Sequence, residues 1–330
     1  MVDFAKKLKK PVVAAAADPD QSLAVRYRPT SLQEVVGQDA VVTALETTLK
    51  TGTAHAFLFT GPSGVGKTTL ARIVAARLGV LSGNVIEVDA ASNSGVDPMR
   101  EVVSATRFLG FGENPGRAVI IDECHALSKQ AWQSLLKPIE EPPGHVYFLL
   151  CTTDAGKVPA TIVTRCQTYR LQSVPGKALI GLLDDVIQAE GLDTPDQVVD
   201  LIVDAAMGSP RQALTMLATV NGVTDLQDVA QLLAGTFEEP EVIDFCRALI
   251  GGAPWGELMG MVKVIGADNA EGIRIVVSRY LASCAMGAKN ERAARPIIHM
   301  MDCFSVPFNP TDGIAPLVLA VGRATKTEAR

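Results

Sequence analysis

Residues 61–68 read Gly-Pro-Ser-Gly-Val-Gly-Lys-Thr, which completes the pattern Gly-x-x-x-x-Gly-Lys-[Ser/Thr]. The compact apolar run His55–Thr60 (HAFLFT) precedes it, and TTLARIVAARL, which reads as a helix, follows it. Strand, glycine-rich turn and helix in that order are what backbone recognition of phosphate requires. The glycines let the chain curl so that successive N–H groups point at one anion, and the helix adds the positive end of its dipole. Lys67 is placed to reach the β- and γ-phosphates of a bound nucleotide, and Thr68 to ligate Mg²⁺. The implied cofactors are ATP and Mg²⁺.

Outward from this loop the text alternates. VVTALETTLK, between Gln38 and Lys50, reads as an amphipathic helix, and VIEVDA (85–90) as a second strand. A helix is expected near 96–108, a third strand at Arg117–Asp122 (RAVIID), a helix over about 128–139, and a fourth strand at HVYFLLC (145–151). Strands and helices alternating at this spacing imply a parallel sheet with helices on both faces. Residues 119–123 (VIIDE) end an apolar strand in two acids. Asp122 would hold Mg²⁺, directly or through water, and Glu123 would polarise the attacking water. Beyond about residue 172 the strand signals stop. Residues 175–235 read as short helices broken at Gly191, Gly208 and Gly222. Residues 238–330 read as a further helical block, punctuated by Gly251-Gly252, Pro254, Gly287, Pro307 and Pro310. The expected fold is therefore an α/β P-loop domain over 21–172, a small helical lid over 173–236 and an all-α domain over 237–330, after a flexible extension at 1–20.

The 330 residues are 48% hydrophobic, enough apolar material for two or three buried cores. The net charge of −6 gives no overall signal for nucleic acid, so any DNA contact would need a local basic surface. The six cysteines, at 124, 151, 166, 246, 284 and 303, form no Cys-x-x-Cys pair. A reduced intracellular chain without a zinc site follows, with Cys124 and Cys166 packing as small apolar groups. No segment has the ~18 apolar residues of a membrane span. Phosphoryl transfer also needs positive charge at the γ-phosphate. Arg165 and Arg211 are candidates, and the residues alone do not say which serves this chain's nucleotide and which a neighbour's.

With these motifs in order, the chain resembles a known family, the AAA+ ATPase subunits of sliding-clamp loaders. It is similar to the gamma/tau subunits of bacterial DNA polymerase III and, more distantly, to the small subunits of replication factor C. The resemblance rests on AVRYRPTSLQEVVGQ (24–38), the phosphate loop, VIEVDAASNSGVDPMRE (85–101), IIDECHALSKQAWQSLLKPIEEPP (120–143), FLLCTTD (148–154), PATIVTRC (159–166) and GSPRQAL (208–214). It implies an ATP hydrolase that works in a pentameric ring with other loader subunits, opens a sliding clamp and places it on primer–template DNA. Such a machine acts in the cytoplasm of a bacterium or a phage-infected host.

The same resemblance implies residue roles. Ala24, Tyr27, Arg28, Pro29 and Val36 would border adenine and ribose. Gly61, Ser63, Gly64, Val65, Gly66, Lys67, Thr68 and Thr69 would hold phosphates, with Pro210 and Arg211 closing from the lid. Thr153 takes the sensor-1 position, Arg211 the sensor-2 position and Arg165 the arginine-finger position, acting on ATP of the adjacent subunit. Arg100, Lys137 and Thr161 match positions that follow the DNA backbone, and the segment around 93–114, with Phe108, Leu109 and Phe111, would face the clamp. The third domain would be the collar that joins subunits.

Three departures stand out. The link from the phosphate-loop helix to VIEVDA is short and cysteine-free, so the zinc module of gamma/tau proteins is missing. The arginine motif is Thr164-Arg165-Cys166, not Ser-Arg-Cys. The sequence has no long tail after the helical block, which suits a compact phage-type subunit. Two rivals are weighed. A branch-migration motor shares the start and the acidic box but lacks Glu140-Glu141-Pro142-Pro143. A non-catalytic loader subunit would have lost Lys67 or the acidic pair.

Overall fold

The computed structural model describes residues 20–223, 225–234, 240–265, 270–286, 290–308 and 313–325. The extension expected over 1–20 lies almost wholly outside these residues, as do Gly287, Pro310 and the expected 236/237 boundary. The chain forms two compact units, residues 1–234 and 235–330.

The first unit opens with α1 (Leu23–Arg26) and α2 (Asp39–Thr51). It continues through β1 (Ala56–Thr60), α3 (Lys67–Arg77), β2 (Val85–Asp89), α4 (Val96–Ala105) and β3 (Arg117–Asp122). Then come α5 (Lys129–Glu140), β4 (Val146–Thr152), α6 (Ala160–Val163) and β5 (Gln167–Arg170). The five strands are all parallel, in the order β2-β3-β4-β1-β5. β1 is buried along its whole length and β4 almost so, as central parallel strands covered on both faces must be. Alternation along the strands feeds two cores. Leu58, Val119, Ile121 and Phe148 face α4 and α5, while Phe57, Phe59, Ile120 and Leu149 face α3.

Two expectations change here. A fifth strand, β5, completes the sheet beside β1. Only Tyr169 of its four residues is buried, so it carries no apolar run from which a strand could be read. The helix expected to 108 stops at Ala105, and Phe108, Leu109 and Phe111 lie in an exposed turn. The link between α3 and β2 is residues 78–84.

The lid consists of α7 (Gly176–Glu190), α8 (Asp196–Ala205), α9 (Pro210–Val220) and α10 (Leu226–Ala234). Its core takes in Leu179, Leu183, Val198, Ile202 and Leu217, together with Leu23 and Tyr27 from the start of the described chain. The amino-terminal segment is thus built into the lid core, not into the sheet. Ser209 caps α9, its Oγ accepting from the Gln212 N–H, with Pro210 at the first helical position where no N–H is needed.

The second unit is helical: α11 (Pro240–Ile250), α12 (Trp255–Ile265), α13 (Ala270–Met286), α14 (Glu291–Cys303) and α15 (Ala315–Ala324). Its buried residues include Phe245, Leu249, Leu258, Val277, Phe304 and Leu317. Arg274 ties α13 to the turn after α14, binding Glu271 through two nitrogens and the Phe304 carbonyl at 2.8 Å. Trp255, Val264, Ile298, Val306 and Leu319 are exposed, and α14 buries none of its residues within the unit.

Candidate nucleotide-binding site

The loop 61–66 turns from the carboxyl end of β1 into the amino end of α3. Its geometry depends on glycine. Gly64 has φ +72°, and a Cβ there would lie 2.0 Å from Ser209 Oγ. The loop therefore runs directly against the cap of lid helix α9. Gly61, at φ +141°, lies outside the cleft lining, and a Cβ on it would meet the Leu171 carbonyl oxygen at 2.4 Å.

Around the loop lies a cleft open to solvent. Ala24, Tyr27, Arg28, Pro29 and Val36 line one part of it, Ser63 to Thr69 the centre, Asp122 and Glu123 the far side, and Pro210 and Arg211 the lid side. The structure thus brings together the residues expected to border base and ribose, the phosphate loop, the acidic pair and the lid arginine. Glu34, Val35, Arg72, Glu87, Leu182 and Leu214 line it too, and sequence reading missed them. Arg72 had a legible signal, since it stands one helical turn after Thr68. Leu182 and Leu214 had none, because apolar lid residues look alike until the helices pack.

Lys67 is 5% exposed, and its ammonium donates to the Gly61 and Pro62 carbonyls at 2.9 and 2.8 Å. Burial pulls its pKa below the ordinary lysine value, partly offset by Glu123 and Asp122. Burial, then the charges of Arg72 and Arg211, likewise lower that of Arg28. Arg72 is itself held by two hydrogen bonds to Glu87, at 2.9 and 2.7 Å. Cationic groups crowded into one cleft favour a polyanionic ligand.

At the far side, the Thr68 hydroxyl donates to Asp122 Oδ2 at 2.6 Å. A hydroxyl and a carboxylate at hydrogen-bond distance are the hard oxygen donors that Mg²⁺ accepts, alongside waters and phosphate oxygens. These residues fit that ion. Among the described residues, no three His, Cys, Asp or Glu side chains cluster as a protein-only metal site. Glu123 adopts φ 45°, ψ 42°, a left-handed conformation uncommon for a non-glycine residue and frequent at functional sites. Its Oε2 accepts from Thr153 Oγ1 at 3.0 Å and stands 3.2 Å from His125 Nδ1. Thr153 is outside the cleft lining and reaches the site through Glu123.

Arg165 is not in the cleft. It pairs with Glu140 at 2.8 Å and also donates to the Thr161 carbonyl. Arg100, Lys137 and Thr161 are exposed on α4, α5 and α6, successive helices of which α5 packs against both others. Arg100 pairs with Asp97 on its own helix at 3.3 Å. Cys124 and Cys151 are fully buried, and burial pushes both thiols upward, as it does that of Cys166. They pack as apolar groups and are not thiolates near neutral pH. Among the described residues no helix is long and apolar enough to cross a membrane.

A five-stranded parallel sheet in this order, a phosphate loop after β1, an acidic pair after β3 and a helical lid define a P-loop nucleotide-binding module of the AAA+ class. The chain is a homologue of the gamma/tau subunits of DNA polymerase III. It is 36% identical over 219 residues to DNA polymerase III subunit tau of Bacillus subtilis, covering 60% of this chain and 39% of that one. It is 30% identical over 332 residues to subunit gamma/tau of Mycobacterium tuberculosis, covering 92% of this chain and 56% of that one. The chain thus spans about half or less of these two relatives. The family model for the DNA polymerase III delta subunit matches residues 83–175, and that for the magnesium chelatase subunit ChlI matches 31–109. Among solved structures, the Thermotoga maritima RuvB Holliday junction branch migration motor superposes with a TM-score of 0.57 at 22% identity, covering 80% of this chain and 93% of that one. That likeness supports the fold alone.

Proposed function

We propose that this chain is an ATP-hydrolysing subunit of a sliding-clamp loader, which works in a ring with other loader subunits to open a clamp and place it on primer–template DNA. The observation that carries this reading is the convergence in one cleft of Lys67, Thr68, Asp122, Glu123 and Arg211, within a chain homologous to gamma/tau subunits.

In this reading the backbone N–H groups of residues 64–69 and the Lys67 ammonium hold the phosphates. Thr68 and Asp122 hold Mg²⁺, which when bound neutralises charge on the β- and γ-phosphates. Glu123 orients and polarises the attacking water, and Thr153 sets where its carboxylate points. The lid closes through Arg211, whose backbone already lies beside the Gly64 carbonyl. Arg165 lies outside its own cleft and acts on the ATP of an adjacent subunit, a contribution worth roughly 10³–10⁵ in rate for a finger supplied in trans. To do so it leaves Glu140.

Arg100, Lys137 and Thr161 bond DNA phosphates, so binding follows duplex geometry and weakens with salt. The exposed turn with Phe108, Leu109 and Phe111 contacts the clamp, and the exposed apolar residues of the second unit pack against neighbouring subunits in the collar. One rival is a branch-migration motor, but the homology is to gamma/tau subunits, and Glu140-Glu141-Pro142-Pro143 and Thr164-Arg165-Cys166 fit the loader.

The test is ATP hydrolysis by the chain with its partner subunits, with and without primer–template DNA and a sliding clamp. Synergistic stimulation by clamp and primed DNA is the expected result. Stimulation by DNA alone, unchanged by any clamp, would favour the motor.

A further inference from the structure

The base end of the cleft contains a side-chain cluster that no motif marks. Glu190 is the last residue of the fifteen-residue helix α7, followed by Gly191 in the left-handed C-cap position. An acid in the final turn of a helix faces the negative end of the dipole, which favours cations instead. It is also largely shielded, with 17% of its side chain exposed. A locally unfavourable residue kept at such a place signals a compensating contact.

That contact is made by the segment lining the cleft. One carboxylate oxygen of Glu190, Oε1, accepts from both the Arg26 guanidinium and the Tyr27 hydroxyl. Tyr27 is 3% exposed, and the Arg26 guanidinium lies 5.8 Å from its ring centroid. Arg26 Nε is also buried, and among the described residues it has no partner. An unsatisfied buried N–H costs stability, so the cluster is not explained by folding economy alone. Tyr27 lines the cleft, followed directly by Arg28 and Pro29, which line it too, while Leu182 of α7 lines it from the lid. Glu190 itself does not line the cleft.

We infer that Glu190 is a positioning residue for the nucleotide base: through Arg26 and Tyr27 it clasps the segment 26–29 to lid helix α7, so that the base-binding wall and the lid form one rigid piece. This rests on the reading of the cleft as a nucleotide site. Charge-assisted hydrogen bonds to one carboxylate fix both partners, and removing the carboxylate frees the wall while leaving the phosphate loop untouched.

The experiment is calorimetric titration of the full chain with Mg²⁺-ATP and, separately, with Mg²⁺-tripolyphosphate, which has no base. Glu190→Ala is expected to weaken ATP binding about tenfold, the loss of roughly 1.4 kcal/mol, with tripolyphosphate affinity within about twofold of wild type. Glu190→Gln keeps an oxygen acceptor and is expected to retain ATP binding to within about threefold. Tyr27→Phe provides a second milder variant should the alanine substitution fail to fold. Equal weakening of both ligands would mean general damage to the lid and would overturn the inference. Unchanged ATP binding in Glu190→Ala, or in Tyr27→Phe where alanine does not fold, would overturn it too. Lys67→Met serves as the control: if it binds ATP like wild type, the cleft is not the nucleotide site, and both readings fail together.

Discussion

The two ends of the cleft are built by different means. The end proposed to hold phosphates, here the phosphate end, comes from one contiguous strand–loop–helix and the terminus of one further strand. The end proposed to hold the base, here the base end, is assembled from α1, the residues that follow it, and lid helices α7 and α9, which meet in the lid core and through Glu190. The phosphate end keeps a buried lysine whose charge burial disfavours. The base end instead pairs Arg26 with Glu190, although burial and the charges of Arg72 and Arg211 disfavour Arg28 there. Lys67 thus carries a cost that a bound polyanion would offset, whereas the Arg26–Tyr27–Glu190 cluster is preorganised without ligand. Functional sites commonly keep such unfavourable groups at the expense of stability.

The sharpest way to break this contrast is Lys67→Met. Nucleotide binding and hydrolysis should be lost, a drop of at least about 100-fold in affinity, equivalent to some 2.7 kcal/mol or more. The melting temperature of the free protein should hold or rise, because a buried, partly destabilised ammonium has been removed. Both quantities come from one calorimetric series. A fall of several degrees with retained binding would mean that Lys67 is a structural residue and that the two ends do not differ as described.

Next in size is Arg165→Ala, which asks whether the phosphate end is complete within one chain. ATP affinity should stay within about twofold, while hydrolysis stimulated by clamp and DNA falls by roughly 10³-fold or more. Single-turnover rates in the assembled ring measure it. Loss of ATP affinity with normal stimulation would place the arginine's action elsewhere. The pair with Glu140 is partly exposed, so its loss should move stability little.

The same contrast explains how legible each end was. Gly64, Gly66, Lys67, Thr68, Asp122 and Glu123 follow from sequence because their chemistry needs fixed spacing along a single strand–turn–helix or strand end. Tyr27 and Arg28 could be named only through resemblance to a family, since nothing local in YRP demands a nucleotide, whereas Arg211 is a candidate cation from the residues and only its role needs the resemblance. Glu190, Leu182 and Leu214 were not named at all; their importance arises when α1 docks on the lid, and no periodicity encodes that. The fold follows the same rule. The buried strands β1, β3 and β4 announce themselves as apolar runs, whereas β5, short and largely exposed, is a strand only because β1 offers it a free edge. Arg165 was legible as a candidate, but its pairing with Glu140 was not, because the two stand 25 residues apart.

The smallest expected effect is a pH dependence confined to the base end. Hydrogen bonds from Tyr27 and Arg26 hold the Glu190 carboxyl below its ordinary range, against the opposing effect of burial. A carboxyl depressed in the folded state contributes stability above its unfolded value of about 4.3, and that contribution disappears as pH falls through the folded value. Burial and the Glu190 carboxylate together push the Tyr27 phenol up to about 12. A phenol raised in the folded state contributes fully below about 10 and loses its contribution as pH rises through the folded value. The difference in melting temperature between wild type and Glu190→Gln should therefore be flat from about pH 5 to 9. It should shrink on the acid side, and the difference for Tyr27→Phe should shrink on the alkaline side. A difference that stays constant from pH 3 to 7 would mean that the clasp acts through packing alone, and that the base end is held by shape and not by charge.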